Sequence, residues 1–190
     1  MCASRSIPTA NGPRASVLLE PAPCEPRTVS ALALSVRITL AEQRLELSRG
    51  GSLWKSYAVS TAKNGAGERS GSHQTPRGRH LIRAKIGAGA PIGTVFRGRR
   101  PTGEIYSEEL ARAHPSRDWI LTRILWLSGL EVGKNRLGDV DTMRRYIYIH
   151  GTPDSTVLGV PGSIGCVRMA NATIVELFDL VPAGTPVEIA

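Results

Sequence analysis

Aromatic side chains are scarce, at 5% of the 190 residues. That shortage argues against a base-stacking nucleic-acid surface, in which rings are interleaved with basic residues. Cysteine is also rare. Cys2, Cys24 and Cys166 are an odd set, and their spacing fits neither a disulfide framework nor a zinc site. No uncharged apolar run approaches the ~18 residues of a membrane-spanning helix, so no membrane insertion is expected. The N-terminal stretch lacks the basic start, apolar core and small-residue cleavage site of a secretory signal. No export signal is therefore read, although a start codon placed too far downstream would give the same appearance. Cys24, in PAPCEP, has no apolar run before it and does not read as a lipid anchor. There is no internal repeat.

What the chain does have is glycine, proline and positive charge: 20 Gly, 13 Pro and a formal net charge of +8. The first two suit a turn-rich, mainly β domain better than a helical bundle. The charge favours polyanions, with nucleic acid and a carboxylate-rich cell-wall polymer as two candidates beside a merely well-solvated surface. Its densest cluster, Arg97, Arg99 and Arg100 in RGRRPTG, reads as a hairpin tip.

Residues 1–30, with Pro8, Pro13, Pro21, Pro23 and Pro26, read as a disordered Pro-rich leader. Residues 31–190 read as one folded domain. Val36, Ile38 and Leu40 alternate with polar residues, as do Leu45 and Leu47, and Ala41–Gln43 turns between them. Gly50-Gly51 is a second turn before a strand over Leu53–Ser60. Further strands are expected over Arg79–Ala84, Ile92–Phe96, Ile120–Leu127, Tyr146–His150 and Thr185–Ile189. Lys63–His73 and Glu131–Thr142 read as loops. Ser107 opens a short helix to Ala113, with acidic residues in its first turn. Asn171 is expected to cap a second helix, to about Val181, whose Ile174, Leu177, Phe178 and Val181 form one apolar face.

Chemistry concentrates in YIYIHGTPDSTVLGVPGSIGCVRM, residues 146–169. Alternation puts Tyr146, Tyr148 and His150 on one strand face and Ile147 and Ile149 on the other. Cys166 follows in a Gly-rich loop. A thiol attacks well only as thiolate, so it needs a base. His150 is the candidate, and the Gly151 carbonyl could orient its ring through the other nitrogen. Gly162, Ser163 and Gly165 permit a sharp turn, in which the N–H groups of Gly165 and Cys166 could hold an oxyanion. The plainer alternative is a satisfied core histidine and a cysteine acting as a small hydrophobe. Tyr148, with Tyr146, either lines a cleft or simply packs.

This pattern resembles the YkuD-type L,D-transpeptidases, cysteine enzymes of peptidoglycan remodelling. Their signature is a His-Gly-Thr segment, a Gly/Pro-containing spacer, then Ser-His-Gly-Cys-Ile/Val-Arg-Met or close variants. Here the segments are His150-Gly151-Thr152 and Ser163-Ile164-Gly165-Cys166-Val167-Arg168-Met169. VSTAKNGAGERSGSHQTPRGRHLI, TRILWLSGLE, NRLGDVDT and LFDLVPAGTPVEI extend the likeness over roughly residues 34–190. The resemblance implies a β-sandwich-like catalytic domain with short helices and a cleft over the cysteine. It implies Cys166 as nucleophile and His150 as general base, with Ser163, Gly165 and Arg168 shaping the loop. It implies stem peptides of peptidoglycan as substrates, no metal, no organic cofactor, and work in the cell envelope. The acyl acceptor is a stem amine or protein amine; water in its place gives a carboxypeptidase. Arg168 either steadies a stem carboxylate or holds the loop through a salt bridge. One departure stands out: Ile164 occupies a position that is often histidine. A non-catalytic wall-binding module is the remaining alternative.

Overall fold

The computed structural model describes residues 33–190. Cys2, Cys24 and the expected leader lie outside them. The domain is mainly β, as expected, with two short helices. In chain order the strands are β1 (Leu34–Thr39), β2 (Arg44–Arg49), β3 (Ser52–Ala58), β4 (Gly78–Ile86), β5 (Thr94–Arg97) and β6 (Arg100–Ile105). Helix α1 (Glu108–Ala113) follows, then β7 (Ile120–Gly129), β8 (Tyr148–Gly151) and β9 (Val167–Met169). Helix α2 (Asn171–Leu180) and β10 (Pro186–Ile189) close the domain.

All ten strands belong to one mixed, hydrogen-bonded sheet, with the order β3-β2-β1-β10-β4-β7-β5-β6 and a side branch in which β8 joins β7 and β9. The branch exists because β7 changes partner along its length. Its Ile124–Gly129 portion pairs with β4, and Ile120 and Leu121 pair with β5. β8 runs alongside both portions, with Leu121 opposite Gly151 and Ile124 opposite His150. Between these pairs the register shifts, and Thr122 has φ +68°. A β-branched residue with left-handed backbone is strained and needs outside support. Its hydroxyl donates to Asn171 Oδ1 and accepts the Gly93 N–H at 3.0 Å. Arg123, next in line, donates through Nη1 to the carbonyls of Thr122 (2.6 Å) and Ala90 (2.7 Å). This bulge turns the front of β7 toward β5 while the rest stays in the main sheet.

The pleat divides the apolar residues between the two faces. Leu125 and Leu127 of β7, Ile149 of β8 and Val167 of β9 join Val36, Ile38, Leu45, Leu47, Val187 and Ile189 in the main core. α2 covers this core with Ile174, Leu177 and Phe178, and Val181 follows at its end. Burying each such side chain contributes about 1.5–3 kcal/mol. Ile124 and Tyr148 point the other way and pack with Phe96 and Cys166.

Several expectations need correction. β6 was not foreseen as a strand, since Pro101 and Gly103 interrupt it. It is an exposed edge, where a missing N–H is tolerated. The hairpin tip is Gly98-Arg99, both at positive φ (55° and 67°) between paired Arg97 and Arg100. Such backbone suits a tight two-residue hairpin loop. Tyr146 precedes β8 instead of opening it, with φ +57° and its ring exposed. Ser107 does cap α1, accepting the Leu110 N–H at 3.1 Å. Asn171 does not cap α2. Ala170 holds that position without a side-chain bond, and Asn171 turns inward.

His80 on β4 is fully buried. Its Nδ1 lies 2.9 Å from the Gly78 carbonyl and its Nε2 lies 3.1 Å from Thr142 Oγ1, which fits a neutral ring. Burial pushes its pKa from 6.5 down to about 4. The unfolded chain therefore takes up this proton near pH 6.5 while the folded chain resists it until about pH 4. Stability contributed by neutral His80 is complete above pH 6.5 and is lost as pH falls through that window, by up to about 3 kcal/mol. Urea unfolding at pH 7, 5.5 and 4 should show this decline, and His80→Gln should flatten it.

Candidate active site

β8 and β9 run parallel, with Ile149 opposite Val167 and His150 opposite Arg168. Extending that register by one residue sets Cys166 beside Tyr148, diagonal to His150 on the same sheet face. His150 Nδ1 lies 2.7 Å from the Gly151 carbonyl, so this nitrogen carries the proton and Nε2 is left as an acceptor. Nε2 is buried and has no hydrogen-bond partner among the described residues. The glycine after the histidine is required by space. A Cβ at Gly151 would lie 2.6 Å from Asn171 Oδ1 and 2.8 Å from the Leu121 carbonyl.

The Cys166 thiol is nearly buried. It accepts the Tyr148 N–H at 3.4 Å and donates toward the Tyr146 carbonyl at 3.5 Å. Burial is the main reason its pKa is pushed up to about 12. Burial also lowers the pKa of His150, although Asp118 and the Gly151 bond oppose this. Both shifts favour the uncharged thiol–imidazole pair over thiolate–imidazolium. Arg168 and Arg145 favour negative charge on the sulfur, whereas Asp118 disfavours it.

The cysteine loop is laced to two earlier segments. Thr61 O accepts the N–H groups of Gly162 (2.8 Å) and Ser163 (2.9 Å), and Lys63 N–H returns a bond to Ser163 O. Ser60 and Arg168 exchange backbone bonds at 2.9 and 3.0 Å. Thr75 Oγ1 donates to the Gly165 carbonyl at 2.9 Å and accepts the Ala62 N–H. Ser163 Oγ donates to the Cys166 carbonyl and accepts the Gly165 N–H at 3.2 Å. That last bond directs the Gly165 N–H into the loop, not outward as the sequence suggested for an oxyanion. Gly165 has φ +131°, and a Cβ there would approach Ile147 Cδ1 to 3.1 Å.

Arg168 binds the Gly162 carbonyl at 3.0 Å and forms a 2.7 Å salt bridge with Asp118. In this structure it holds the loop. Tyr148 is packed: its ring is edge-on to Trp126, and its hydroxyl accepts from Arg99 at 3.0 Å. Ile164 stands 55% exposed between two open depressions of about 370 Å³ each. Three participants were missed from sequence. Asp118 lay in an irregular segment with no periodic signal. Arg145 donates to the carbonyls of Gly67, Glu68 and Gln74 and so straps the 67–74 loop beside the cysteine. Asn171 was read as a cap, yet its Nδ2 donates to the Thr152 carbonyl (2.9 Å) and to Asp154 Oδ1 (3.1 Å). Among the described residues no three His, Cys, Asp or Glu side chains converge as a metal site would need.

The profile of the L,D-transpeptidase catalytic domain family, YkuD, matches residues 34–189, and the chain belongs to that family. No match was found among curated proteins. Among solved structures, L,D-transpeptidase 3 from Mycobacterium tuberculosis aligns with a TM-score of 0.53 at 13% identity, covering 83% of this chain and 61% of that one. A Mycobacterium smegmatis L,D-transpeptidase aligns at 0.50 and 16% identity, covering 83% and 58%. The Enterococcus faecium L,D-transpeptidase C442S mutant aligns at 0.51 and 14% identity, covering 83% and 50%. At these identities the likeness is one of fold. The present chain spans 50–61% of the length of those three.

Two outcomes follow from the geometry. With Cys2 and Cys24 changed to Ser, Cys166 should react with iodoacetamide at pH 7.5 at least about tenfold more slowly than free cysteine, because thiolate is scarce. Intact-mass spectrometry over time measures this. Asn171→Ala leaves the Thr122 hydroxyl and the Thr152 carbonyl without their partner. It should cost about 1–3 kcal/mol, read as a lower urea midpoint.

Proposed function

We propose that this domain is a cysteine acyltransferase acting on peptidoglycan stem peptides in the cell envelope, with Cys166 as nucleophile and His150 as general base. The observation that carries the reading is the His150 ring: Nδ1–H is fixed on Gly151 O, and the buried, unpartnered Nε2 shares a sheet face with Cys166. An orphaned buried acceptor costs about 1–3 kcal/mol. A base must keep its lone pair available, which accounts for that cost.

The resting pair is neutral, and the proton moves as the sulfur attacks, so that negative charge passes to the carbonyl oxygen instead of resting on the sulfur. His150 Nε2 takes the proton from Cys166 Sγ. The sulfur attacks the carbonyl that joins the third stem residue, a diamino acid, to terminal D-alanine. The oxyanion is stabilised by the Cys166 N–H and by the positive charges of Arg145 and Arg168, which already favour anionic charge on the sulfur. The C–N bond breaks, His150 returns the proton to the amine, and D-alanine leaves a thioester behind. A side-chain amine of a second stem then attacks. His150 accepts its proton and passes it to the departing sulfur, leaving an amide between two third-position residues. Neither half-reaction consumes an oxidant or needs an electrophile beyond these groups. The family membership makes stem peptides the substrate of choice, and the basic chain suits their carboxylates.

The test incubates purified protein with disaccharide-tetrapeptide and follows products by mass spectrometry. A cross-linked dimer lacking one D-alanine is expected. Cys166→Ala should keep the urea midpoint within ~1 kcal/mol of the parent and lower turnover more than about a thousandfold. Tripeptide alone would show water as the acceptor. Full activity in Cys166→Ala would overturn the nucleophile assignment.

A further inference from the structure

The two depressions on either side of Ile164 differ in charge. One holds Arg117, Asp118 and Arg168, and both of its arginines are already paired, Arg168 with Asp118 and Arg117 with Glu104. The other is lined by Ser70, His73, Arg144, Arg145, Tyr146 and Ile164, and no carboxylate borders it. Tyr146, in the wall of this second depression, accepts at its carbonyl from Cys166 Sγ at 3.5 Å, so one residue separates the space from the sulfur.

Its two arginines are not equivalent. The Arg145 guanidinium is spent on loop carbonyls and on Ser72 Oγ, so it is a fixed part of the wall. Arg144 is anchored only through its backbone, where its N–H donates to Asp141 Oδ1 at 3.0 Å. Its exposed side chain forms no ion pair or hydrogen bond among the described residues. His73 faces the same space. Both His73 (φ +56°) and Tyr146 (φ +57°) are held in left-handed backbone, a strain that proteins tend to retain where side chains must be aimed. A planar guanidinium free to pair, beside a thiol that attacks a carbonyl, suits a carboxylate near the scissile bond.

We propose that this depression is a carboxylate subsite, in which Arg144, assisted by His73, binds the terminal carboxylate of the leaving D-amino acid. The inference rests on the acyl-transfer reading above. It adds what that reading leaves open: which side of Ile164 the donor's end occupies and which residue selects for it. The donor's terminus lies on the Arg144 side. Arg144 is a specificity-determining residue and takes no part in the proton transfers.

The test compares tetrapeptide donors ending in a free carboxylate and in a carboxamide. Binding is measured by calorimetry at low salt on the full chain carrying Cys166→Ala, with and without Arg144→Glu and Arg144→Lys. Turnover is measured on the same Arg144 variants with Cys166 intact. The acid should bind at least about tenfold more tightly than the amide. Arg144→Glu should erase that preference, and Arg144→Lys should keep most of it. In turnover the loss should fall on KM for the acid, with kcat within about threefold. Equal acid-to-amide ratios in parent and Arg144→Glu, or no binding of either donor, would overturn the subsite. Arg144-dependent binding without turnover in the Cys166 protein would instead uphold the subsite and sink the acyl-transfer reading.

Discussion

The hydrogen bond between the Thr122 hydroxyl and Asn171 Oδ1 ties the bulge of β7 to the start of α2. It supports left-handed backbone at a β-branched residue, which no local preference would sustain. With that bulge in place β7 serves β4 and β5 in turn, and β8 runs beside the shift in register. Asn171 also binds the Thr152 carbonyl, so the start of α2 is tied to the His-Gly-Thr segment. Gly151 completes the junction because a side chain there would collide with both Asn171 and β7. The histidine is thus aimed by a contact between residues on two other elements.

Electrostatics at the site balance burial against a few fixed charges. Burial alone keeps both Cys166 and His150 uncharged. Asp118 pulls toward a protonated His150 but opposes a thiolate, while Arg168 does the reverse. Their mutual salt bridge couples the two influences, so neither acts at full strength. The balance leaves the thiol and the imidazole uncharged at rest. The exposed side chain of Ile164 adds no charge and no hydrogen bond to this balance. A histidine there would add a second titrating group beside the thiol.

The sequence motifs outside the His and Cys segments act as supports. Ser60-Thr61 and Thr75 bind the cysteine loop through backbone groups and one buried hydroxyl. Ser163 closes the loop on itself by bridging Gly165 and Cys166. Glycine at 165 is needed for its backbone angle and for the close approach of Ile147. A loop held by this many hydrogen bonds keeps the Cys166 thiol at a fixed orientation.

Local pattern was enough for much of this chain. Period-two alternation gave β1, β2 and the opposed faces of β8, because pleating and burial act residue by residue. Ser107 and the apolar spacing of α2 announced both helices for the same reason. The His150 and Cys166 segments were legible since glycines and motif residues lie close together in the chain. What sequence could not decide depends on contacts between distant residues. β6 reads poorly as a strand because its pairing with β5 and its exposed edge offset Pro101 and Gly103. Asn171 looked like a cap because only the packing of α2 against the bulge shows where its amide points. Asp118 has no local signature at all; Arg168, fifty positions later, gives it meaning. The sequence by itself determined which side chains are available and which face each takes along a strand. The tertiary structure decided which of them share a cavity, because that is set by sheet order and the β7 bulge, and neither is encoded in any short stretch of residues.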